Sequence, residues 1–416
     1  MARFTPQEDK PRLLVLASTY PRWSGDHEPG FVHELARRLN DHFEVHVLAP
    51  HAPGARRREI LDGVSVERFR YAPTQLQTLI GDGGILSNLG SDRWKWLLLP
   101  PFFLGQLFAT FRARLRLRPH IVHAHWILPQ GLTIAFVNQF FRTPFVLTAH
   151  GADLFALRGS LFRLIKRWVC TQAATITVVS EAMASAISEL NIPDGKALVR
   201  PMGADLEVRF TPDPTVERIP KQLLFVGRLV EKKGVRYLLQ ALPLITEQHP
   251  DVTLTIVGFG PEEQPLREMA ARLGISGRVS FLGAVPQESL PKLYRQCGLF
   301  VAPFAPAQSG DQEGLGLVLV EALGCGCPVL AGDVAAVRDV LPDSRQRVRP
   351  ANPPALASAV SEILSLSSAE LIERYEPLFQ QSLHRFSWSN VSDGYAKLLN
   401  EAVATSAREK QKSREQ

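Results

Sequence analysis

Two short segments combine residue types and spacings that suit an anionic ligand. In VGRLVEKKG an apolar run ends at Gly227, Arg228 and Lys233 follow, and Gly234 precedes the amphipathic stretch VRYLLQAL. A guanidinium can grip a diphosphate through paired N–H groups while an ammonium serves as a point charge. Two solvated surface cations are the plainer reading of the same residues. In SGDQEGLGLVLVEALGCGCPVLAG a loop punctuated by Gly314 and Gly316 runs into the helical pattern LVLVEAL. The N–H groups of Leu317 and Val318 would open that helix and point at an anion, with the helix dipole behind them. Glu321 follows Leu317 by four residues and so shares its helix face. It could accept hydrogen bonds from hydroxyls on whatever carries the phosphate, while Glu313 sits in the loop before. Spacing alone does not mark these glutamates. Glu181 and Glu189 in SEAMASAISEL stand equally far apart, but no glycine separates them and they read as a solvated helix face.

The common nucleotide-binding motifs fit poorly. Gly258-Phe259-Gly260 follows an apolar run, yet the third glycine position holds Glu263, which would repel a pyrophosphate, and no P-loop pattern occurs. The four cysteines, Cys170, Cys297, Cys325 and Cys327, include one close pair with no second pair or histidine cluster to complete a zinc site. No metal and no cofactor are expected, and the thiols suit a reducing, cytoplasmic compartment.

The elements that must position these residues are legible as two series of apolar runs alternating with helical patterns. The first comprises RLLVLA, FEVHVLA, HIVHAH, FVLTA and TITVV; the second QLLFVG, VTLTIVG, RVSFLG, GLFVAP and PVLAG. Unalternated runs of this kind suit parallel strands covered on both faces. An α/β fold of two doubly wound, Rossmann-like domains is therefore predicted, with ligands at the carboxyl ends of the strands. Prolines 212, 214 and 220 mark the linker, so the first domain is expected over 1–210 and the second over 221–380. Length and composition agree: 416 residues with 45% hydrophobic and 21% charged side chains suit two or three globular domains. Disordered, fibrous and polytopic membrane chains are excluded. The net charge of +6, from 47 basic and 41 acidic residues, is too small to argue for nucleic acid, which is not expected as a partner, and fits anionic ligands or an anionic membrane surface. MARFTPQEDK lacks the apolar core of a signal peptide, and the uncharged run 96–111 is interrupted by Pro100 and Pro101 and too short to span a bilayer. The polar ending 405–416, which includes SAREKQKSREQ, is predicted to be disordered.

GRLVEKKG, IVGFGP and EGLGLVLVEALGCGCPV together resemble the carboxyl-terminal domain of retaining GT-B glycosyltransferases of family 4, the glycosyl transferases group 1. VHAHWILPQGL, LTAHGAD, VVSEAM and RPMGAD resemble the family's amino-terminal half, so the likeness runs over about residues 11–400 in the expected order. The resemblance implies a GT-B fold and transfer of a sugar from a nucleoside-diphosphate sugar to a glycan or lipid-linked acceptor in polysaccharide or glycolipid synthesis. Arg228 and Lys233 would hold the donor diphosphate, Glu321 the ribose and Glu313 the transferred sugar. Gly316, Leu317 and Val318 would complete the phosphate site, and His150 would face the donor sugar from the other domain. Gly30 matches a loop glycine that lets the first domain approach the diphosphate, although a simple helix cap explains it equally. Helices at 381–404 would cross back onto the first domain. Two segments depart from the pattern: YPRWSGDHEPGFV is longer and more polar than usual, and AGDVAAVRDV has Ala335-Ala336 and Asp339 where two glycines and a glutamate are common.

The expected chemistry stabilises the leaving diphosphate with Arg228, Lys233 and the helix start, without a metal, and the chain contains no D-x-D triplet. His150 and Glu313 would position the sugar for a front-face reaction. A sugar-nucleotide epimerase or phosphorylase of similar architecture, or a non-catalytic sugar-binding relative, are the alternatives. On the acceptor side, Leu104, Leu107, Phe108, Phe111 and Leu115 form a helical stripe ending in Arg112, Arg114, Arg116 and Arg118, with Trp94 and Trp96 before it and a second basic helix, SLFRLIKRWV, from Ser160. An interfacial helix on the inner, anionic face of the membrane and an ordinary helix packed against the sheet both fit this pattern.

Overall fold

The computed structural model describes residues 10–26, 30–80, 84–155 and 157–415, so the amino-terminal segment that argued against a leader lies, but for Lys10, outside the described residues. The first series of apolar runs forms an eight-stranded sheet of β1 (Arg12–Leu16), β2 (Glu44–Pro50), β3 (Arg58–Leu61), β4 (Val64–Phe69), β5 (Ile121–His125), β6 (Phe145–Ala149), β7 (Thr175–Val178) and β8 (Ala197–Val199). Its order is β3-β4-β2-β1-β5-β6-β7-β8, parallel throughout except where β3 pairs antiparallel with β4. Helices α1 (Phe31–Leu39), α2 (Gly84–Ser91), α3 (Leu99–Leu117), α4 (Leu132–Phe141), α5 (Ala152–Phe155), α6 (Ser160–Gln172) and α7 (Glu181–Ser188) belong to this domain.

The second sheet is all parallel: β9 (Ile219–Val226), β10 (Thr253–Val257), β11 (Val279–Gly283), β12 (Cys297–Ala302), β13 (Val329–Gly332) and β14 (Arg347–Val348), in the order β11-β10-β9-β12-β13-β14. Its helices are α8 (Val235–Gln248), α9 (Glu263–Arg272), α10 (Leu290–Gln296), α11 (Leu317–Gly324), α12 (Pro353–Leu364) and α13 (Ser368–Phe386). Every residue of β5, β6, β12 and β13 is buried, the consequence of helices on both faces of a parallel sheet. Side-chain caps start several helices: Ser180 accepts from Met183 N, Asn352 from Ala355 N, and Ser367 and Glu370 form a reciprocal capping box.

A last helix, α14 (Trp388–Glu415), leaves the second domain and packs on α1 and the first sheet. Ala204 N donates to Phe386 O at 2.8 Å, and Tyr395 OH donates to Arg200 O at 3.1 Å. Trp388 lies so close to Gly203 that an added Cβ would fall 2.5 Å from its ring. The RPMGAD motif is thus the seat of the crossover. The disorder predicted for 405–416 is corrected: α14 runs through to Glu415. The ending is rich in Ala, Arg, Lys, Glu and Gln, all good helix formers, so a helix already nucleated by packing propagates through it. Polarity here dictates exposure, not conformation. Pro100 and Pro101, which break the apolar run in the sequence, sit in the first turn of α3, where proline starts helices. Among the described residues no single helix is long and apolar enough to cross a membrane.

Candidate active site

Both sheets are wound outward in two directions from a central pair of strands. In the second domain the chain runs β9, β10, β11 and returns to place β12 on the other side of β9; in the first it runs β1, β2 and returns to place β5 beside β1. At such reversals the loops leave in opposite directions and open a crevice at the carboxyl ends of the strands. Arg228 follows β9, the Glu313 loop follows β12, Gly30 ends the loop after β1, and His150 follows β6. A cleft of about 420 Å³ between the domains is lined by all nine residues singled out from the sequence: Gly30, His150, Arg228, Lys233, Glu313, Gly316, Leu317, Val318 and Glu321.

The basic wall and the acidic loop meet directly. Lys233 Nζ lies 2.7 Å from Glu313 Oε2, and both side chains are 14% exposed. Lys233 Nζ also stands 4.7 Å above the ring of Phe304, and Lys232 pairs with Asp311 at 3.1 Å. Burial works against ionisation of Glu313, but Lys233, then Lys232, then the N–H of Gly314 outweigh it and hold the carboxyl at about 2. Glu313 is therefore a carboxylate.

Gly316 caps α11 with φ of +84°, a left-handed conformation that side chains resist, and it turns the chain so that the helix opens into the cleft. The first N–H groups of a helix have no partner within it, and here they belong to Leu317 and Val318, both lining residues. One turn on, Glu321 Oε2 accepts a hydrogen bond from Tyr294 OH at 3.1 Å. Burial raises the Glu321 carboxyl to about 7, with Tyr294, Arg209 and Lys233 pulling it back. Between the ordinary value of 4.5 and about 7 the folded chain keeps a proton that the unfolded chain has lost, so stability from this group is full below pH 4.5 and gone above about 7. Glu321→Gln is expected to leave stability unchanged at pH 5 and raise it at pH 8 by up to about 3 kcal/mol, read by denaturant titration. A variant whose offset from the parent is the same at both pH values would refute the buried, proton-sharing carboxyl.

The opposite wall is built around His150. Its Nε2 lies 3.0 Å from Nδ1 of His125, and its ring packs against Trp126, Phe31 and His125 at centroid distances of 4.8, 5.0 and 5.2 Å. Burial, with the neighbouring His123 adding to it, lowers His150 to about 3. It faces the cleft as a neutral imidazole. Asp153, in α5, holds the loop below: Oδ1 accepts from the N–H groups of His150 and Gly151 at 3.1 Å each, and Oδ2 from Ile127 at 2.7 Å. The two domains touch here. A Cβ at Gly314 would lie 2.5 Å from the carbonyl oxygen of His150, so Glu313 and His150 approach across the cleft only because glycine stands between them.

Gly30 caps α1 at φ −86°, and an added Cβ would meet nothing nearer than Pro21 Cγ at 3.9 Å. The folded chain has room for a side chain there, although residues 27–29 of the polar loop before it lie outside the described residues. Gly30→Ala should therefore keep its stability to within about 0.5 kcal/mol and weaken donor binding several-fold, seen as a smaller thermal shift with nucleotide sugar. Unchanged binding would leave Gly30 as a cap alone.

Other lining residues carried no sequence signal. Tyr294, Arg209 and Glu34 reach the site from α10, the segment just before the linker and α1, and Arg209 donates to Gln287 Oε1 at 3.0 Å. His125 and Asp153 lay within quoted motifs, VHAHW and LTAHGAD, but their contact with His150 depends on three neighbouring loops. Asp339, from the divergent loop, stands away from the cleft lining: it accepts from Glu181 N at 2.7 Å and lies 3.7 Å from Arg385, joining the second domain to α7. Glu181 and Glu189 are exposed on or just past α7, as the glycine-free pattern predicted.

Two doubly wound sheets that turn their carboxyl edges toward one cleft, with cations and a helix start on one wall and a histidine on the other, define a GT-B glycosyltransferase architecture. Sucrose-phosphate synthase from Thermosynechococcus elongatus shares it, with a TM-score of 0.76 and 20% identity over 95% of this chain and 100% of that one. Residues 212–377 match the family model of the glycosyl transferases group 1, and residues 31–203 match the glycosyl transferase 4-like domain. A phosphatidyl-myo-inositol mannosyltransferase of Mycobacterium tuberculosis is 30% identical over 69% of this chain and 75% of its own length. A GDP-mannose-dependent alpha-(1-6)-phosphatidylinositol monomannoside mannosyltransferase of Mycolicibacterium smegmatis is 31% identical over 53% of this chain, which spans 60% of that relative. The chain belongs to the glycosyl transferases group 1.

Proposed function

We propose that the chain transfers a hexose from a nucleoside-diphosphate sugar to a glycan or lipid-linked acceptor, with retention of anomeric configuration, near an anionic membrane surface. The observation that carries this reading is the placement of Lys233, Glu313 and the start of α11 on one wall of the cleft, with neutral His150 opposite. Arg228, Lys233 and the N–H groups of Leu317 and Val318 receive the diphosphate; Glu321 accepts from ribose hydroxyls; the loop Gly283–Ser289, whose Ala284, Val285 and Gln287 line the cleft, meets the base.

In the reaction the bond from the anomeric carbon to the phosphate oxygen breaks and a bond to the acceptor oxygen forms on the same face. The acceptor proton passes to the departing phosphate oxygen. The charge that grows on the diphosphate is taken by protein cations and the helix start, which supply it with no reorganisation and without a metal. Glu313, ionised and tied to Lys233, and His150, neutral, orient the sugar. A carboxylate nucleophile would instead form a glycosyl-enzyme bond, so trapping an adduct on Glu313 would replace this route with a double displacement.

The names of the relatives make a GDP-hexose and a lipid-linked acceptor the first pair to assay. Thermal shift and slow donor hydrolysis with UDP-, GDP- and ADP-sugars test the reading. One of these donors should stabilise the chain, and hydrolysis should be lost in Glu313→Gln of intact fold. No response to any of them would refute it, and a sugar released with altered configuration at C2 or C4 would point to an epimerase.

A further inference from the structure

Helix α3 is packed inside out. Leu104, Phe108, Phe111 and Leu115 fall four, three and four residues apart on one helix face, and all four are exposed, Phe108 to 72%. The opposite face buries Phe102, Gln106, Thr110 and Ala113, and Gln106 Oε1 and Thr110 Oγ1 have no hydrogen-bond partner among the described residues. Of the stripe expected to seal the sheet, only Leu107 packs partly against the core, and the other four residues turn away from it. Gly105 explains how the helix still docks: a Cβ there would lie 2.9 Å from the backbone of Arg70, so the helix seats through its small residues.

The apolar face continues across two neighbours. Phe140 on α4 is 77% exposed and meets Phe111 at 6.3 Å between ring centroids; Phe136 on α4 is also exposed and meets Trp168 on α6 at 5.2 Å. Leu161 and Leu164, seven and four residues before Trp168, extend the face along α6 and are exposed in turn. Residues 93–118, 132–142 and 160–172 together contain ten Lys and Arg and no Asp or Glu. Of these, Arg112, Arg118 and Arg167 are exposed, with no side-chain ion pair or hydrogen bond among the described residues. A second copy of the chain would set this positive face against itself, which electrostatics disfavours. A surface that is apolar in the middle and cationic around it matches lipid with anionic headgroups.

We propose that the α3–α4–α6 face docks on an anionic lipid bilayer, with Phe108, Phe111 and Phe140 entering the interface and Arg112, Arg118 and Arg167 on the headgroups. Docking bears on the cleft through Lys166 of α6, which donates to the carbonyls of Leu154 and Leu157 at 2.7 Å each, beside the loop that carries His150. The surface rests on the transfer reading only for its purpose, since lipid binding needs no donor.

Flotation of the full chain with phosphatidylglycerol or phosphatidylcholine vesicles tests it. The chain should float with phosphatidylglycerol at low salt, lose about tenfold in partitioning at high salt, and remain below phosphatidylcholine. Phe108→Ser with Phe140→Ser should lower partitioning at least tenfold, and Arg112→Glu with Arg167→Glu should abolish it at low salt. The thermal shift given by nucleotide sugar should not move in either variant, and it reports separately on the transfer reading. Failure to float with phosphatidylglycerol, or flotation indifferent to both variants, would overturn the proposal. So would a dimer in sedimentation velocity that the serine variant dissolves, which would make the face a contact between copies.

Discussion

Lys233→Met is expected to slow glycosyl transfer by about 10- to 100-fold or more and to destabilise the fold at the same time. The kinetic part follows from a charge-assisted contact to the leaving diphosphate, worth about 1.5 to 3 kcal/mol, at about 1.4 kcal/mol per tenfold in rate. The stability part follows from the partner left behind. Glu313 is lowered from 4.5 to about 2 chiefly because Lys233 outweighs its burial. The pair therefore contributes about 3 kcal/mol that is present above pH 4.5 and lost as pH falls toward 2. Without the ammonium, a mostly buried carboxylate lacks its ion-pair partner, which is where such pairs become costly. A second substitution separates the two effects: Lys233→Met with Glu313→Gln should regain most of the stability, by denaturant titration at pH 7, and regain none of the activity. If the double variant is as unstable as the single one, the pair is not what couples the cleft to the fold. If Lys233→Met transfers sugar at the parental rate, the diphosphate lies elsewhere.

Asp153→Ala should strongly destabilise the first domain. The side chain is 3% exposed and accepts from three backbone N–H groups drawn from two loops, those of Ile127, His150 and Gly151. Burial raises its carboxyl, and those same N–H groups pull it back down. Removing it leaves three buried donors unmet, each costing about 1 to 3 kcal/mol, so a loss of roughly 3 kcal/mol or more is expected. Activity should fall as well, because the loop that aims His150 is released, and it should fall in kcat more than in donor affinity, which resides on the other wall. Asp153→Asn keeps two or three of the contacts and should recover most of the stability. A variant Asp153→Ala that melts within about 1 kcal/mol of the parent would show that the loops hold each other without it.

Much of the second domain's wall was legible in the sequence because it is local. Arg228 and Lys233 lie in one turn after a strand, and Glu313, Gly316, Leu317, Val318 and Glu321 lie in one loop and the helix it enters. Spacing within a helix fixes which side chains share a face, so the order of residues was enough to place them near one another. The strands were equally plain, since burial on both faces leaves unbroken apolar runs. The family likeness added the roles, and the ending misled because a polar composition says nothing about whether a helix continues.

What composition, periodicity and motif determined about this protein was its two βα series, the linker between them and the charged and glycine residues of the second domain's wall, with Gly30 and His150 added by the family likeness. Only the tertiary structure decided the contacts between elements far apart in the chain. His125 on His150, Asp153 beneath three N–H groups, Tyr294 on Glu321, Gly314 against the backbone of His150 and Asp339 on α7 all require loops from different strands to converge. The outward turn of α3 belongs with them. Its stripe is apolar whether it faces a sheet or a lipid surface, and the choice was made by the small residues that let the other side of the helix pack.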